Sequence, residues 1–331
     1  MTKSRDIANS TSTLDVDGGT IKLDGNYPTG TGNVALGDTA LDSLTSGGDY
    51  NVAIGPDAMT ANTSGNRNTA LGQNALKTNS TGARNTALGR TTLFSNTTGN
   101  YNTGSGSEAL LSNTTGSNNT SVGYQSLQAN TTASNNTALG YQAGYNTTTG
   151  AENTLIGGLA GDALTVGTRN VVMGKGALTS DVGGSKSVAL GHSALENQNM
   201  GSSATDSNNV AVGYNAGSQN TTGTDNVFVG FASGDANTDG NTNTVVGSAA
   251  FSANERGDRN TAIGHEALKV MNPSGDVDTY NTAVGYQAGV AATTGIRNTY
   301  LGGDTANSAT TGNDNVFLGY NAGTHNIATV A

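Results

Sequence analysis

The chain contains no cysteine and no tryptophan, and only 3 of its 331 residues are proline. The absence of cysteine excludes disulfide bonds and cysteine-ligated zinc, and it leaves the redox compartment undecided. Basic residues are also few: 14 Lys and Arg stand against 24 Asp and Glu. The resulting formal net charge of −10 disfavours nucleic acid as a partner. Hydrophobic residues make up 34%, which is low for a single large globular core and favours many small ones.

Long hydrophobic runs are absent as well. No stretch approaches the length of apolar sequence that a membrane-spanning helix needs. The opening segment Met1–Ala8 lacks the apolar centre of a signal peptide. The sequence therefore predicts neither membrane insertion nor a secretion leader.

Glycine, with 49 residues, is abundant and recurs at a fixed interval. A core of Asn, then Thr or Val, any residue, an apolar residue and Gly occurs in 17 copies, two of which differ at one position, and most copies are 17 residues apart. Two of the fullest copies are Asn136–Gly144 and Asn281–Gly289. A fixed period near twenty residues is typical of stacked coils. Positions in each coil are numbered here from the glycine that closes the core, so that the Asn stands at −4.

A coil of 17 residues is too short for a pair of helices, but it fits two short extended arms and two bends. The sequence therefore predicts an all-β fold, a parallel β-solenoid of about 17 coils. Because stacked parallel strands lie about 4.8 Å apart, the coils would form a rod of roughly 75–80 Å.

The alternation of side chains along a strand divides each core into two faces. Position −1 is apolar in every copy except Ser105, so that this face, with position −3, is predicted to line the coil interior. Position −2 then points outward, yet it is also apolar, which predicts a second buried surface, most simply a contact between identical chains around an axis. The candidate inter-chain face comprises Ala138, Leu155, Val172, Phe228, Val245, Tyr300 and Phe317.

Asparagine occupies position −4 in 16 of the 17 copies, and Ser187 is the exception. Side-chain amides stacked in register can bond along the rod, so these residues are interpreted as a structural ladder. The predicted ladder consists of Asn33, Asn51, Asn68, Asn85, Asn102, Asn119, Asn136, Asn153, Asn170, Asn209, Asn226, Asn243, Asn260, Asn281, Asn298 and Asn315.

Three segments follow from the repeat. Residues 1–32 precede it and form an attachment or capping segment, with a hairpin predicted at 13–23; residues 33–323 form the rod; residues 324–331 form a tail. Two longer loops, at 196–208 and 269–280, occupy the same arc of their coils and should project from one edge. Loops on a rigid scaffold often carry recognition, which makes Met200, Gly201, Met271 and Pro273 candidate recognition residues.

The residue types that usually carry chemistry are dispersed. His192, His265 and His325 lie far apart, no pair of carboxylates is spaced as in a glycosidase, and the calcium-binding glycine-rich nonapeptide is absent. We therefore expect no catalytic residue, no cofactor site and no metal site. A recurrent Tyr or Phe at position +1 could either stack on sugars or cover a neighbouring arm. These residues are Tyr124, Tyr141, Tyr214, Phe231, Tyr286 and Tyr320.

The repeat resembles the head repeats of trimeric autotransporter adhesins, in which cores similar to Ser187–Gly191 and Asn51–Gly55 build a left-handed parallel β-roll in a trimer. The longer motif in Asn119–Tyr124 and Asn136–Gly144 is similar to repeats of phage tail-fibre proteins. The opening Met1–Asp6 is similar to the first residues of such proteins. An autotransporter would need a secretion signal, a membrane anchor and shorter coils, so these departures favour the fibre. The resemblance implies no catalytic residue.

The expected function is a non-enzymatic virion fibre, on a tail or appendage, that attaches to a host surface. Its expected partners are two further copies of itself, other virion proteins through residues 1–32, and a host-surface glycan or protein. The expected location is the virion, after assembly in the host cytoplasm. Two alternatives remain open: a bacterial cell-surface adhesin or extracellular filament, and an ice-binding solenoid.

Overall fold

The computed structural model describes residues 30–45 and 47–323. The hairpin expected at 13–23, the tail 324–331 and His325 lie outside the described residues. Within those residues the chain has no helix and forms a parallel β-solenoid of about 17 coils with a period of about 17 residues. The predicted fold class is confirmed.

Each coil contributes one three-residue strand to a single sheet of 17 strands. These strands are β1 (Val34–Leu36), β2 (Val52–Ile54), β3 (Thr69–Leu71), β4 (Thr86–Leu88), β5 (Thr103–Ser105), β6 (Thr120–Val122), β7 (Thr137–Leu139), β8 (Thr154–Ile156), β9 (Val171–Met173), β11 (Val188–Leu190), β13 (Val210–Val212), β14 (Val227–Val229), β15 (Thr244–Val246), β17 (Thr261–Ile263), β19 (Thr282–Val284), β20 (Thr299–Leu301) and β21 (Val316–Leu318). The two-residue strands β10 (Gly184–Ser185) and β12 (Thr205–Asp206) form one small parallel pair, and β16 (Gly257–Asp258) and β18 (Val277–Asp278) form another.

Neighbouring coils stack in register. Strand β3 pairs in parallel with β4 so that Thr69 faces Thr86, and equivalent repeat positions face each other along the whole sheet. The sheet occupies only part of each coil, and the second arm is a turn rather than the extended arm that the sequence suggested. Its residues at +2 and +4 have positive φ, 59° at Asn74 and 51° at Leu76, which an extended strand does not allow.

Backbone hydrogen bonds nevertheless continue from coil to coil around the turn. The N–H of Asn74 donates back to the carbonyl of Pro56 (2.9 Å), and the N–H of Leu76 donates forward to the carbonyl of Thr92 (3.0 Å). The backbone groups of the turn are thus satisfied by the neighbouring coils, as those of the strand are.

The direction of the side chains is opposite to the prediction. Position −2 points into the coil, and positions −3 and −1 point outward: in strand β7, Ala138 is fully buried while Thr137 and Leu139 are exposed. The proposed inter-chain residues therefore belong to the interior of a single chain. Ala138, Leu155, Val172, Phe228, Val245 and Tyr300 are buried, and the half-buried Phe317 packs against the same core.

The physical reason is the narrowness of the coil. The interior is shared between the residue at −2, the small residue at +3 and the residue at +4, which is Leu in 8 of the 17 coils and fully buried there. Little room remains opposite a buried Leu, so Ala is the most frequent residue at −2. The larger −1 side chains would not fit inside the coils that have Leu at +4.

Volume is exchanged between positions −2 and +4. Phe228 is fully buried at −2, and the +4 residues on either side of it are Gly217 and Gly234. A Cβ at Gly217 would lie 2.6 Å from Cδ2 of Phe228, and one at Gly234 would lie 2.3 Å from Cδ1. Gly144 and Gly161 flank Leu155 in the same manner. The core remains filled because a large residue at one position coincides with glycine at the other.

Candidate interaction surfaces

The outward residues at −3 and −1 form a continuous uncharged band along the rod, here called the outer stripe. Its −3 residues are Thr or Val in all 17 coils, and its −1 residues are Leu, Ile, Val or Met in all but one. Leu71 is 48% exposed, and Leu88, Met173 and Leu301 are also exposed. Soluble monomers rarely expose so long a contiguous apolar patch, which usually marks an interaction site.

A polar edge borders the outer stripe at position −5. At this position Arg169 pairs with Glu152 (2.8 Å) and Arg297 pairs with Asp314 (2.6 Å) of a neighbouring coil, and Lys186 pairs with Asp206 of the first long loop (2.6 Å). Near the N-terminal end, the Arg67 guanidinium lies 5.8 Å from the ring centroid of Tyr50. An uncharged band beside a charged edge has the arrangement of an interface core and its rim.

The asparagines at −4 occupy the position that the ladder requires. Oδ1 of Asn68 accepts a hydrogen bond from the N–H of Asn85 (2.8 Å), and its Nδ2 donates to the carbonyl of Gly82 (2.8 Å). The same bonds recur along the rod. The carboxamide thus serves the backbone N–H of the following coil, which is a structural task. The N–H of Ser187 donates to Oδ1 of Asn170 (2.9 Å), while the Ser187 hydroxyl contacts the Ser207 hydroxyl (2.7 Å).

A second asparagine ladder lies inside the rod at position +7, for which the sequence predicts only a turn. Nδ2 of Asn96 donates to Oδ1 of Asn79 (2.8 Å), and Asn113 donates to Asn96 (2.7 Å). All three side chains are fully buried. Recurrence of Asn three residues before a buried Gly was the available signal, because Nδ2 also bonds that glycine's carbonyl.

This inner ladder is replaced by an acid beneath the first long loop. Asp181 stands at +7, is fully buried, and accepts hydrogen bonds from the N–H groups of Gly184 (2.9 Å) and Met200 (3.2 Å). Nε2 of Gln198 donates to its other oxygen (2.6 Å). Burial raises the pKa of the Asp181 carboxyl, and the three hydrogen bonds act against that rise. The partners are uncharged, so the cluster fixes the root of the loop and contains no acid–base pair.

The two long loops rejoin the rod at equivalent places. Strand β12 pairs with β10, and β18 pairs with β16, in each case at positions +10 and +11 of the preceding coil. Gly201 is exposed and Met200 is half-buried. Met271 and Pro273 are buried, so neither can contact a ligand, and their candidacy as recognition residues is wrong. Met271 lies at +7, where it fills the interior position of the missing asparagine.

Aromatic residues at +1 form exposed stacks along the bend that follows the sheet, here called the aromatic ridge. Tyr124 and Tyr141 stack with ring centroids 5.8 Å apart. His192, Tyr214 and Phe231 form a three-ring stack at 5.3 and 5.6 Å. The rings cover one another along the rod, while their outer edges remain in solvent.

The ridge places both described histidines against aromatic rings rather than beside metal ligands, and His265 stacks on Tyr286 at 5.4 Å. Among residues 30–45 and 47–323, no group of three or more His, Cys, Asp or Glu could hold a metal ion. In the same part of the chain, no helix is long and apolar enough to span a membrane.

Protein-family models do not match this chain, and a search of curated proteins found no match to it.

Proposed function

We propose that the chain is the rod of a homotrimeric virion fibre, on a tail or an appendage, that reaches or contacts a host surface and acts without catalysis. The outer stripe supports this proposal more than any other feature. It places one uncharged face on each chain, and faces of this kind are covered when identical chains pack around an axis. Three chains and the viral setting come from the resemblance of the repeats. Attachment to the particle is assigned to residues 1–32.

The corrected direction of the side chains moves the expected chain–chain contact to the outer stripe. Thr137 and Leu139 are exposed on β7, whereas Ala138 between them is buried in its own coil. A contact through −3 and −1 leaves the interior of each chain intact. Each protomer can therefore have a complete core while its assembly depends on the stripe.

The test is the native mass of the full chain by light scattering, for the wild type and for Leu139→Lys. Three chains of 32.9 kDa would give about 99 kDa, and two would give about 66 kDa. Leu139 is 48% exposed in the single chain, so a lysine there should leave the coil folded but place a charge in the interface. We expect a trimer for the wild type and a folded monomer for the variant.

The matched control is Thr132→Lys, since Thr132 is exposed at a turn of the preceding coil, outside the stripe. It should remain trimeric. A folded wild-type monomer, or a trimer indifferent to Leu139→Lys, would contradict assembly through the stripe. Detection of the protein on cells free of virus, and its absence from purified particles, would favour the cell-surface adhesin or filament instead.

One observation favours the ice-binding alternative. Six successive coils present threonine at −3 on the outer sheet face, from Thr69 to Thr154, at the regular spacing of the strands. The threonines of the turns are less suitable, because hydroxyls such as that of Thr97 donate to the next coil, here to the carbonyl of Thr114 (3.0 Å). Thermal hysteresis at millimolar protein would support this alternative, and its absence would exclude it.

A further inference from the structure

The aromatic ridge has an open gap at Gly158. This residue occupies position +1 in the coil that follows Tyr141, where 8 of the 17 coils carry Tyr, Phe or His. A Cβ built on Gly158 would meet no atom within 4 Å, so the space of the missing side chain is empty. Its φ is not among the positive values of the chain, so glycine is not required there by the backbone.

The gap leaves one face of an aromatic ring accessible. Tyr124 stacks on one side of Tyr141 with an interplanar angle of 17°. On the other side stands Gly158, and Tyr141 is 55% exposed. A ligand ring placed there would extend the stack by one step, at a spacing close to the 5.8 Å that separates the two tyrosines.

The other glycine in the ridge differs. Gly303 follows Tyr286, but a Cβ on Gly303 would lie 3.5 Å from Cδ2 of Tyr320, so the ring of the next coil already leans over that step. At Gly158, by contrast, no ring of a neighbouring coil occupies the space beside the glycine.

The coil after that of Gly158 carries Lys175 at position +1. Among the described residues, every other Lys or Arg has an acidic partner or an aromatic ring against it. Lys175 has neither, and it is exposed. In a chain of net charge −10, an uncompensated lysine two coils beyond an open aromatic face is an unusual combination. It offers a cation to an anionic ligand at this step.

We propose that the gap binds an acidic pyranose, with the apolar face of the sugar on Tyr141, its ring above Gly158 and its carboxylate toward Lys175. A sugar suits the site because the gap is open to solvent and spans one coil, which is the space of one ring. A carboxylate on that sugar would pair with the Lys175 ammonium. The proposal deepens the proposed function, since a host-surface glycan is the source on which it rests. The binding chemistry itself depends only on these three residues.

The experiment is saturation-transfer NMR on the full chain with two matched probes, methyl β-glucuronide and methyl β-glucoside, which differ at the carboxylate. We expect both sugars to bind and the glucuronide to bind about tenfold more tightly, as a hydrogen bond to an exposed charged group allows. Gly158→Tyr should abolish binding of both, because it fills the step. Lys175→Met should reduce the affinity for the glucuronide to that for the glucoside.

The matched control is Ser248→Tyr, which adds a ring at the same coil position far from the gap and should leave binding unchanged. Absence of glucuronide binding, equal binding of the two sugars, or retention of binding by Gly158→Tyr would each overturn the proposal. A change of native mass in Gly158→Tyr would also overturn it, because the ridge would then be a chain–chain contact. A trimer that binds neither sugar would refute only the sugar site at Gly158. A monomer that binds the glucuronide would refute only the proposal of a trimeric fibre.

Discussion

The glycine at position 0 combines two constraints at one residue. At Gly140 the backbone has φ of +144°, a region that L side chains rarely adopt. A Cβ there would also lie 2.4 Å from the carbonyl oxygen of Gly157 in the next coil. The first constraint comes from the bend and the second from stacking, so the glycine is needed by the coil and by its neighbour.

Replacing Gly140 with alanine should therefore destabilise the rod by about 2 kcal/mol or more, through backbone strain and displacement of the neighbouring coil. Thermal unfolding followed by circular dichroism would measure the loss. Gly158→Ala is the matched control, since its Cβ meets nothing within 4 Å, and its effect should stay within about 0.5 kcal/mol. Equal effects of the two substitutions would contradict the stacking argument.

Asp181 is a second residue whose role follows from its surroundings. Its buried carboxyl stands where most coils have a neutral asparagine, and burial raises its pKa above the ordinary value of 3.8. A raised pKa means that the folded state favours the protonated form. The contribution of this group to stability is therefore fully present below pH 3.8 and is lost as the pH rises through the folded-state pKa.

Asp181→Asn should raise the unfolding midpoint at pH 7 and flatten this part of the pH profile. Asp57→Asn gives the comparison of opposite sign. Hydrogen bonds from Thr39 and then Lys77 hold the pKa of Asp57 below its usual range, so its contribution is present at neutral pH and lost on acidification. Midpoints measured from pH 3 to pH 8 would check both, and an Asp181→Asn variant less stable at pH 7 would refute the argument.

At the scale of the coil, a large side chain at position −2 is balanced by a small one at position +4, and the reverse. Phe228 has glycine at +4 on both sides, whereas Ala87 has Leu76 and Leu93. Each pair of stacked coils fills a similar space with a different distribution of atoms. Single substitutions should therefore be costly where paired substitutions are not.

Phe228→Ala should cost about 3–5 kcal/mol, because the flanking glycines cannot fill the cavity. Gly217→Leu alone should also destabilise the rod, since its Cβ would lie 2.6 Å from the Phe228 ring. The double variant recreates the common Ala and Leu arrangement and should recover more than half of the loss. A double-mutant cycle of denaturant midpoints measures the coupling, and additive losses would contradict the exchange.

The coil also shows which features could be predicted from the sequence. The period fixed the stacking and the register of strands such as β3 and β4, because equivalent residues must meet along a solenoid. The inward face could not be deduced from hydrophobicity, since Ala138 and Leu139 are both apolar and period 2 does not say which points inward. The small size of the −2 residues was the useful signal, because only small side chains fit opposite a buried Leu.

At the scale of the whole molecule, the sequence predicts an outward apolar face, but it assigns that face to position −2 instead of positions −3 and −1. An apolar strand with no second layer still leaves one face to be covered, and that face is the outer stripe, with Leu139 rather than Ala138. The loops show the same limit: their shared arc followed from the spacing of the repeats. The burial of Met271 did not, because it depends on the interior position that this residue occupies.

The register of equivalent residues along the rod makes length an adjustable property of this chain. Each coil contacts the coils directly before and after it, so removal or duplication of one 17-residue unit between matched core residues joins surfaces that already fit. Each such event would change the reach of the rod by about 4.8 Å while the remaining coils keep their contacts. Recombination between the near-identical segments Asn136–Gly144 and Asn281–Gly289, which lie eight coils apart, would remove or duplicate eight coils and change the length by about 38 Å in one event.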